Sequence, residues 1–454
     1  MNSVLDRRRS GVLLHPTALP GDHGALGRAA RAFIDWLVAA GVGVWQVLPL
    51  GPVGADRSPY WVRSDQAGNP ALIDRSEALD PEQARGDFDE FCGAQHEWLD
   101  DYVLFAALSR AHHAAPWWTW PEPLLDRQPA ALHEAMARLQ PELHALRVEQ
   151  WQFARQWSAL REYAQQRGVR LYGDLPIYLA PDSVATWTQR GQFQLKTSGE
   201  PAVLAGVPPD YFSADGQLWG NPLYDWEQAR RDGFAFWRAR VASQLRRFDL
   251  LRVDHFRGLA GYWAVPAHAR TAREGQWLSA PGNELLSALR DSLGELPLVA
   301  EDLGVITPDV VALRRAFDLP GMRVLQFGFD GSANNLHLPY NYTQRTVAYT
   351  GTHDNDTTLG WYRSLDAAAA ERVTAFLGAA PDSMPQALVR ATLASVAVLA
   401  VVPLQDVLSL GSEARFNVPG TVGGNWSWRL GEGALTAEAA AQYRRLNELF
   451  GRLP

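Results

Sequence analysis

The chain has 454 residues, a hydrophobic fraction of 47%, a charged fraction of 20% and a formal net charge of −8. A chain this long buries a large core without covalent staples. The acidic balance and the lack of a basic stripe exclude nucleic acid as an expected partner, and the lone Cys92 excludes an intrachain disulfide.

The first residues, MNSVLDRRRSGVLLHPTALPG, place only GVLL behind their arginine run, too short for a signal-peptide core. No apolar run approaches the ~20 residues of a membrane span. A cytoplasmic chain with no membrane partner is expected, so the Asn-x-Ser/Thr triplets at Asn341, Asn355 and Asn425 carry little weight as glycosylation acceptors.

GVLL (11–14) reads as a strand. Residues 28–40 read as a helix with Phe33, Ile34, Leu37 and Val38 on one face and Gly41 as its stop. VGVWQVLPL (42–50) is the second strand. A helix over 145–167 leads to VRLYGDLPI (169–177), and one over 228–248 leads to LLRVDHF (250–256). Leu285, Leu286, Leu289 and Leu293 mark a helix before LPLVAEDL (296–303). Thr307 suits an N-cap with Pro308 at the first helical position. MRVLQFGF (322–329), TVAYTGTHD (346–354) and LAVVPLQDVL (399–408) complete eight strands.

Strands alternating with helices predict a parallel sheet with right-handed crossovers. GVGVWQ (41–46) lacks the third glycine of a dinucleotide-binding turn and runs into a strand, which favours a closed (β/α)8 barrel over an open doubly wound sheet. Residues 51–145 and 178–227 are too long for simple βα loops. They are expected as insertion subdomains on the C-terminal face of one catalytic barrel spanning 1–454. The 18 tryptophans outnumber the tyrosines and the phenylalanines. Most suit a core, but WWTW (117–120), bracketed by Pro116 and Pro121, suits a loop that could stack on sugar rings.

Charged residues at the ends of buried strands need work or a partner. Alternation places Arg252 and Asp254 on one face, toward the barrel mouth. Asp254 suits a nucleophile beside a guanidinium, in an ion pair expected to be partly exposed and to contribute little stability. Glu301 ends its strand and suits a general acid; Asp302 next to it suits a brace for the loop. His353 and Asp354 end the seventh strand. The cluster of His and Asp there could suggest a metal site, but no second His/Asp cluster at helical spacing accompanies it. His112 and His113 read as surface. Three carboxylates at strand ends of one barrel face make retaining glycoside chemistry available: a nucleophile, an acid/base, and a third group holding the sugar hydroxyls.

The motifs HPTALPG, SPY, GNPALID, GDLPIY, GVPPDYFSADGQLWGNPLYDW, LRVDHFRGL, EDLGVITP, LQFGFD, GTHDNDTTLGWY, PLQDVLSLGSEARFNVPGT and GNWSWR run almost from end to end. In these the chain resembles the bacterial 4-α-glucanotransferases (amylomaltases, or disproportionating enzymes), glycoside hydrolase family 77 of the α-amylase clan. The resemblance implies retaining transfer of an α-1,4-glucan segment to the 4-hydroxyl of a second glucan or glucose. It assigns Asp254 as nucleophile, Glu301 as acid/base and Asp354 as transition-state stabiliser. It implies that Arg252, Asp174, His255 and His353 line the donor subsite, that Tyr211, Phe212 and Trp219 belong to a loop arching over the glucan, and that Tyr60 contacts it. It implies a (β/α)8 barrel without the clan's usual C-terminal β domain and no metal or organic cofactor; a monomer or homodimer is expected. The chain departs from the family pattern at GADRSPYWVRSDQAGNP, where Gln66 replaces a common aromatic, at GALGRAA, and at LPYNY, where Tyr340 replaces a histidine. A hydrolase of the same clan, with water as acceptor, and a non-catalytic glucan-binding protein are the alternatives.

Overall fold

The computed structural model describes residues 4–21, 25–209, 213–421 and 423–454. Among them the chain forms twelve strands: β1 (Arg9–Leu13), β2 (Val44–Gln46), β3 (Arg170–Leu175), β4 (Val203–Val207), β5 (Gln217–Pro222), β6 (Leu250–Val253), β7 (Gly261–Pro266), β8 (Gln276–Ser279), β9 (Leu298–Ala300), β10 (Gly321–Val324), β11 (Thr346–Tyr349) and β12 (Leu399–Pro403). Eight of them close a parallel barrel in the order β1-β2-β3-β6-β9-β10-β11-β12, each falling inside one of the eight expected runs or overlapping it. Both faces of these strands are covered, which explains their near-continuous apolar sequence. Gly173 in β3 is forced by a neighbour, since a Cβ there would lie 2.4 Å from the Phe248 ring.

Inside the barrel, below the carboxylates, Tyr349 donates its hydroxyl to Oε1 of Gln46 at 2.9 Å and lies 3.4 Å from the hydroxyl of Tyr172. Such an interior is a packed floor, not a pore. Among the described residues no strand follows β12. The helix Ala437–Leu449 instead packs back on the helix Arg28–Ala39.

The region after β2 builds its own core. Helices Arg85–Ala111 and Gln140–Gln166 pack together, and Leu99, Phe105, Leu108, Trp117, Trp120 and Trp187 fill the space around them. Two of the three WWTW tryptophans therefore belong to this core and not to a sugar platform. Trp117 is fully buried and Trp120 nearly so, with Trp117 donating its indole N–H to the Pro181 carbonyl at 3.0 Å. The flanking prolines shape the entry to a core rather than an exposed loop. Three glutamines of the long helix clasp the incoming chain: Gln150, Gln156 and Gln152 each pair with both the N–H and the C=O of Gly68, Asp74 and Leu79 respectively.

The second insertion extends further than the sequence suggests. Strands β4 and β5 lie within 178–227, but they join β7 and β8 from beyond β6 in a four-stranded antiparallel sheet ordered β5-β4-β7-β8. The expected helix over 228–248 is two pieces, Trp226–Arg231 and Ala235–Arg247, because Phe234 takes a left-handed backbone at φ 59° between them. Thr307 and Pro308 do start the helix Pro308–Ala316, although the threonine hydroxyl makes no capping bond to it.

Candidate active site

Register places the chemistry. Tyr172, Gly173, Asp174 and Leu175 of β3 pair with Leu250, Leu251, Arg252 and Val253 of β6, so Asp174 and Arg252 lie side by side. Val253 in turn pairs with Ala300 of β9. Asp254 and Glu301 thus leave neighbouring strands at the same level. Their backbones stay locked there: Asp254 donates its N–H to the Leu175 carbonyl at 3.0 Å, and Glu301 donates to the Val253 carbonyl at 3.1 Å.

Arg252 bridges two carboxylates. Its Nη1 donates to Oδ2 of Asp174 and its Nη2 to Oδ1 of Asp254, both at 2.6 Å. The Arg252–Asp254 pair, expected to be partly exposed, is open only on its Asp254 side. The Arg252 side chain is 6% exposed and that of Asp174 is 0%, against 27% for Asp254. Strand alternation turns the guanidinium into the barrel, and Tyr60 covers it, donating its hydroxyl to Asp174 Oδ2 at 2.6 Å.

Glu301 is held by backbone alone. Its Oε2 accepts the His255 N–H at 2.7 Å and its Oε1 the Leu303 N–H at 3.0 Å. Burial, aided by the charge of Asp254, pushes its pKa up to about 8, against the opposing pull of Arg252 and the two N–H groups. Glu301 therefore holds its proton at neutral pH. Asp302, its neighbour, points away and is buried, accepting the Met322 N–H at 2.7 Å and pairing with Arg314 and Arg323. It braces β10, where the sequence suggested a brace for its own loop.

His255 takes a left-handed backbone, φ 46° and ψ 49°, and its ring meets Trp219 edge-on at 4.7 Å. Burial lowers its pKa to about 4, so the imidazole is neutral at pH 7. Trp219 sits on β5, which brings the small sheet over this side of the site. Tyr211 and Phe212 lie outside the described residues.

Across the mouth, His353 stacks on Tyr60 with ring centroids 5.1 Å apart, and both rings lie about 6 Å from Trp426. Asp354 is more open, its side chain 47% exposed. Asn417 donates to its Oδ1 at 2.6 Å, His353 Nε2 lies 3.4 Å from its Oδ2, and Arg415 donates to its carbonyl at 2.9 Å. Asn417, Arg415 and Trp426 are missed by reasoning from strand ends, since they come from the segment after β12; their signal lies in the motifs EARFN and GNWSWR. Two open clefts lie beside the site. One, about 410 Å³ including open solvent, is lined by His15, His353, Asp356 and Phe416, and one, about 360 Å³ on the same measure, by Tyr60, Asp65, Asp174 and Tyr178. Among the described residues no group of three or more His, Cys, Asp or Glu could hold a metal ion, and no helix is long and apolar enough to cross a membrane.

The departures have structural counterparts. Asp65, beside Gln66, receives Nε of Arg240 at 2.6 Å, and Arg247 donates to the Gln66 carbonyl. Arg240 is 1% exposed and also donates to the carbonyls of Pro176 and Ile177, so the loop bearing Tyr60 is tied to the end of β3. Tyr340 is 60% exposed on the loop after β10 and packs near Phe376.

The family profile described as 4-alpha-glucanotransferase matches residues 14–85 and 75–435. The chain belongs to the 4-alpha-glucanotransferase family. Among similar members, the 4-alpha-glucanotransferase of Thermus thermophilus is 46% identical, with 98% of this chain and 99% of that one covered. The chloroplastic/amyloplastic 4-alpha-glucanotransferase of Solanum tuberosum is 39% identical over 99% of this chain and 87% of its own. The amylomaltase of Streptococcus agalactiae, solved in complex with acarbose, superposes with a TM-score of 0.95 at 34% identity, covering 99% of this chain and all of that one. The motifs quoted above contain Tyr60, Asp174, Trp219, Arg252, Asp254, His255, Glu301, His353 and Asp354.

Proposed function

We propose that this protein transfers an α-1,4-glucan segment from a donor maltooligosaccharide, or a starch- or glycogen-derived glucan, to the 4-hydroxyl of another glucan or of glucose, in two displacements. Asp254 attacks the anomeric carbon as the bond to the leaving oxygen breaks, and Glu301 gives its proton to that oxygen. The acceptor hydroxyl then attacks the same carbon, Glu301 takes the hydroxyl proton, and the Asp254 carboxylate is released. Asp354 binds the sugar's 2- and 3-hydroxyls as the ring flattens toward the oxocarbenium-like state. Arg252, Asp174, His255, His353 and Tyr60 line the donor sugar, and Trp219, with Tyr211 and Phe212, covers the glucan.

The observation that carries this reading is the shared level of Asp254 and Glu301 on adjacent strands. Neighbouring strands lie about 4.8 Å apart, and retention needs carboxyl groups about 5–5.5 Å apart. The environments separate the roles: Arg252 holds Oδ1 of Asp254, whereas buried Glu301 keeps a proton to give. That the Streptococcus agalactiae amylomaltase forms a complex with acarbose supports glucan binding by this chain. We read the chain as one catalytic domain of 1–454, with insertion subdomains over 51–145 and 178–227 around the cleft, the second completed by β7 and β8, and as cytoplasmic.

The test is incubation with maltotriose followed by chromatography. Glucose together with a ladder of longer maltooligosaccharides is expected. Glucose and maltose without longer products would make the protein a hydrolase, and unchanged maltotriose would leave a binding protein.

A further inference from the structure

The loop carrying His353 and Asp354 leaves β11 at Thr350 and ends at Thr358, the first residue of the helix Thr358–Ser364. One carboxylate from another element grips both ends. Asp406 lies in the short helix Leu404–Val407 directly after β12 and is 1% exposed. Its Oδ2 accepts the hydroxyls of Thr350 and Thr358, each at 2.6 Å, and its Oδ1 accepts the Thr358 N–H at 2.7 Å.

A carboxylate sunk into a core is expensive unless fully bonded. Here three neutral donors satisfy it at 2.6–2.7 Å. Apolar packing would stabilise such a place at least as well, so the carboxylate contributes geometry more than stability. What it fixes is the span of the loop. Gln326 adds a second tie, donating its N–H to the Thr350 carbonyl at 3.2 Å and its amide to the Asp356 carbonyl at 3.1 Å. The tip is held from the same stretch of chain as Asp406, because Arg415 and Asn417 bond the Asp354 carbonyl and carboxylate.

We propose that Asp406 is a positioning residue for the glucan transfer, setting the height and direction of Asp354 through Thr350 and Thr358. This rests on the role given to Asp354 above. A displacement of about 1 Å at a reacting centre lowers turnover by roughly 10²-fold. Asparagine can keep the geometry: its oxygen accepts the Thr358 N–H while its amide donates to the two hydroxyls, which rotate to accept. Alanine cannot.

The experiment measures maltotriose turnover and melting temperature for Asp406→Ala, Asp406→Asn, Thr350→Val and Asp354→Asn. For folded Asp406→Ala, kcat is expected to fall roughly 10²-fold with KM within about threefold. Asp406→Asn should recover most of that loss. Thr350→Val, near in shape and safe for folding, should lose about tenfold in kcat from the loss of one anchoring bond, roughly 1.4 kcal/mol, and it decides the matter if the alanine variant does not fold. Wild-type kcat in Thr350→Val or in folded Asp406→Ala, or an asparagine variant as impaired as alanine, would overturn the proposal. If Asp354→Asn itself kept full activity, the fault would lie with the role of Asp354 instead, and the positioning proposal would fall with it.

Discussion

His255 donates its backbone N–H to Oε2 of Glu301 at 2.7 Å, and it does so from a left-handed backbone, φ 46° and ψ 49°. The turn that follows β6 thus ends the strand carrying Asp254 and fixes the carboxyl group on the next strand. A histidine at positive φ stores strain of about 1–3 kcal/mol, and such residues persist where the surroundings over-determine them.

The strain predicts a ranking of stabilities at position 255. Asparagine visits the left-handed region readily and a β-branched side chain does not. His255→Val should be less stable than His255→Asn by about 1–2 kcal/mol in urea melts. Equal stabilities would mean that the turn relaxes.

As the proposed acid, Glu301 should set the alkaline limb of activity. Burial holds its proton up to about pH 8, so kcat/KM should fall as pH rises through about 8. Glu301→Gln should lose about 10²–10⁴-fold in kcat. The same shift acts on stability. The native pKa lies above the ordinary 4.5, so the stabilisation is full below pH 4.5 and is lost as pH rises to about 8. The melting temperature of Glu301→Gln relative to wild type should therefore climb across that window. A flat difference would place the limb on another group.

Removing Arg252 should cost stability as well as turnover. Arg252→Ala strands the fully buried carboxylate of Asp174 without its counter-ion, which costs about 3–5 kcal/mol. Adding Asp174→Asn to the same chain should return part of it. Urea melts check both; an unchanged midpoint for Arg252→Ala would mean that the pair is solvated.

Trp117 belongs to a core, not to a sugar platform. Trp117→Ala should destabilise by about 3–5 kcal/mol and leave KM for maltotriose within about twofold in the folded enzyme. A tenfold rise in KM at unchanged stability would restore the platform reading.

The barrel is legible because its strands are buried on both faces, so LLRV, LPLVA and LAVVP read as apolar runs even where only a few residues pair. The carboxylates are legible for the related reason that Asp254 and Glu301 interrupt such runs at their ends. The small sheet is not: Gln276–Ser279 is exposed along its whole length and carries no alternation, and the sheet's four strands lie on both sides of β6 in the chain. Burial of Arg252 escapes notice because charge alone does not reveal that Tyr60, far away in sequence, covers it. Asn417 and Arg415 escape for want of any strand-end signal, and only a motif marks them.

The assignment of Asp254 as nucleophile is tested most directly by trapping the glycosyl-enzyme. Glu301→Gln should accept an α-maltosyl fluoride, whose leaving group needs no acid, and should then stall for want of a base to activate the acceptor. Mass spectrometry of the digested protein should find one maltosyl unit on the peptide containing Asp254. A maltosyl unit on another carboxylate, or fluoride release with no adduct and inverted product, would contradict the account.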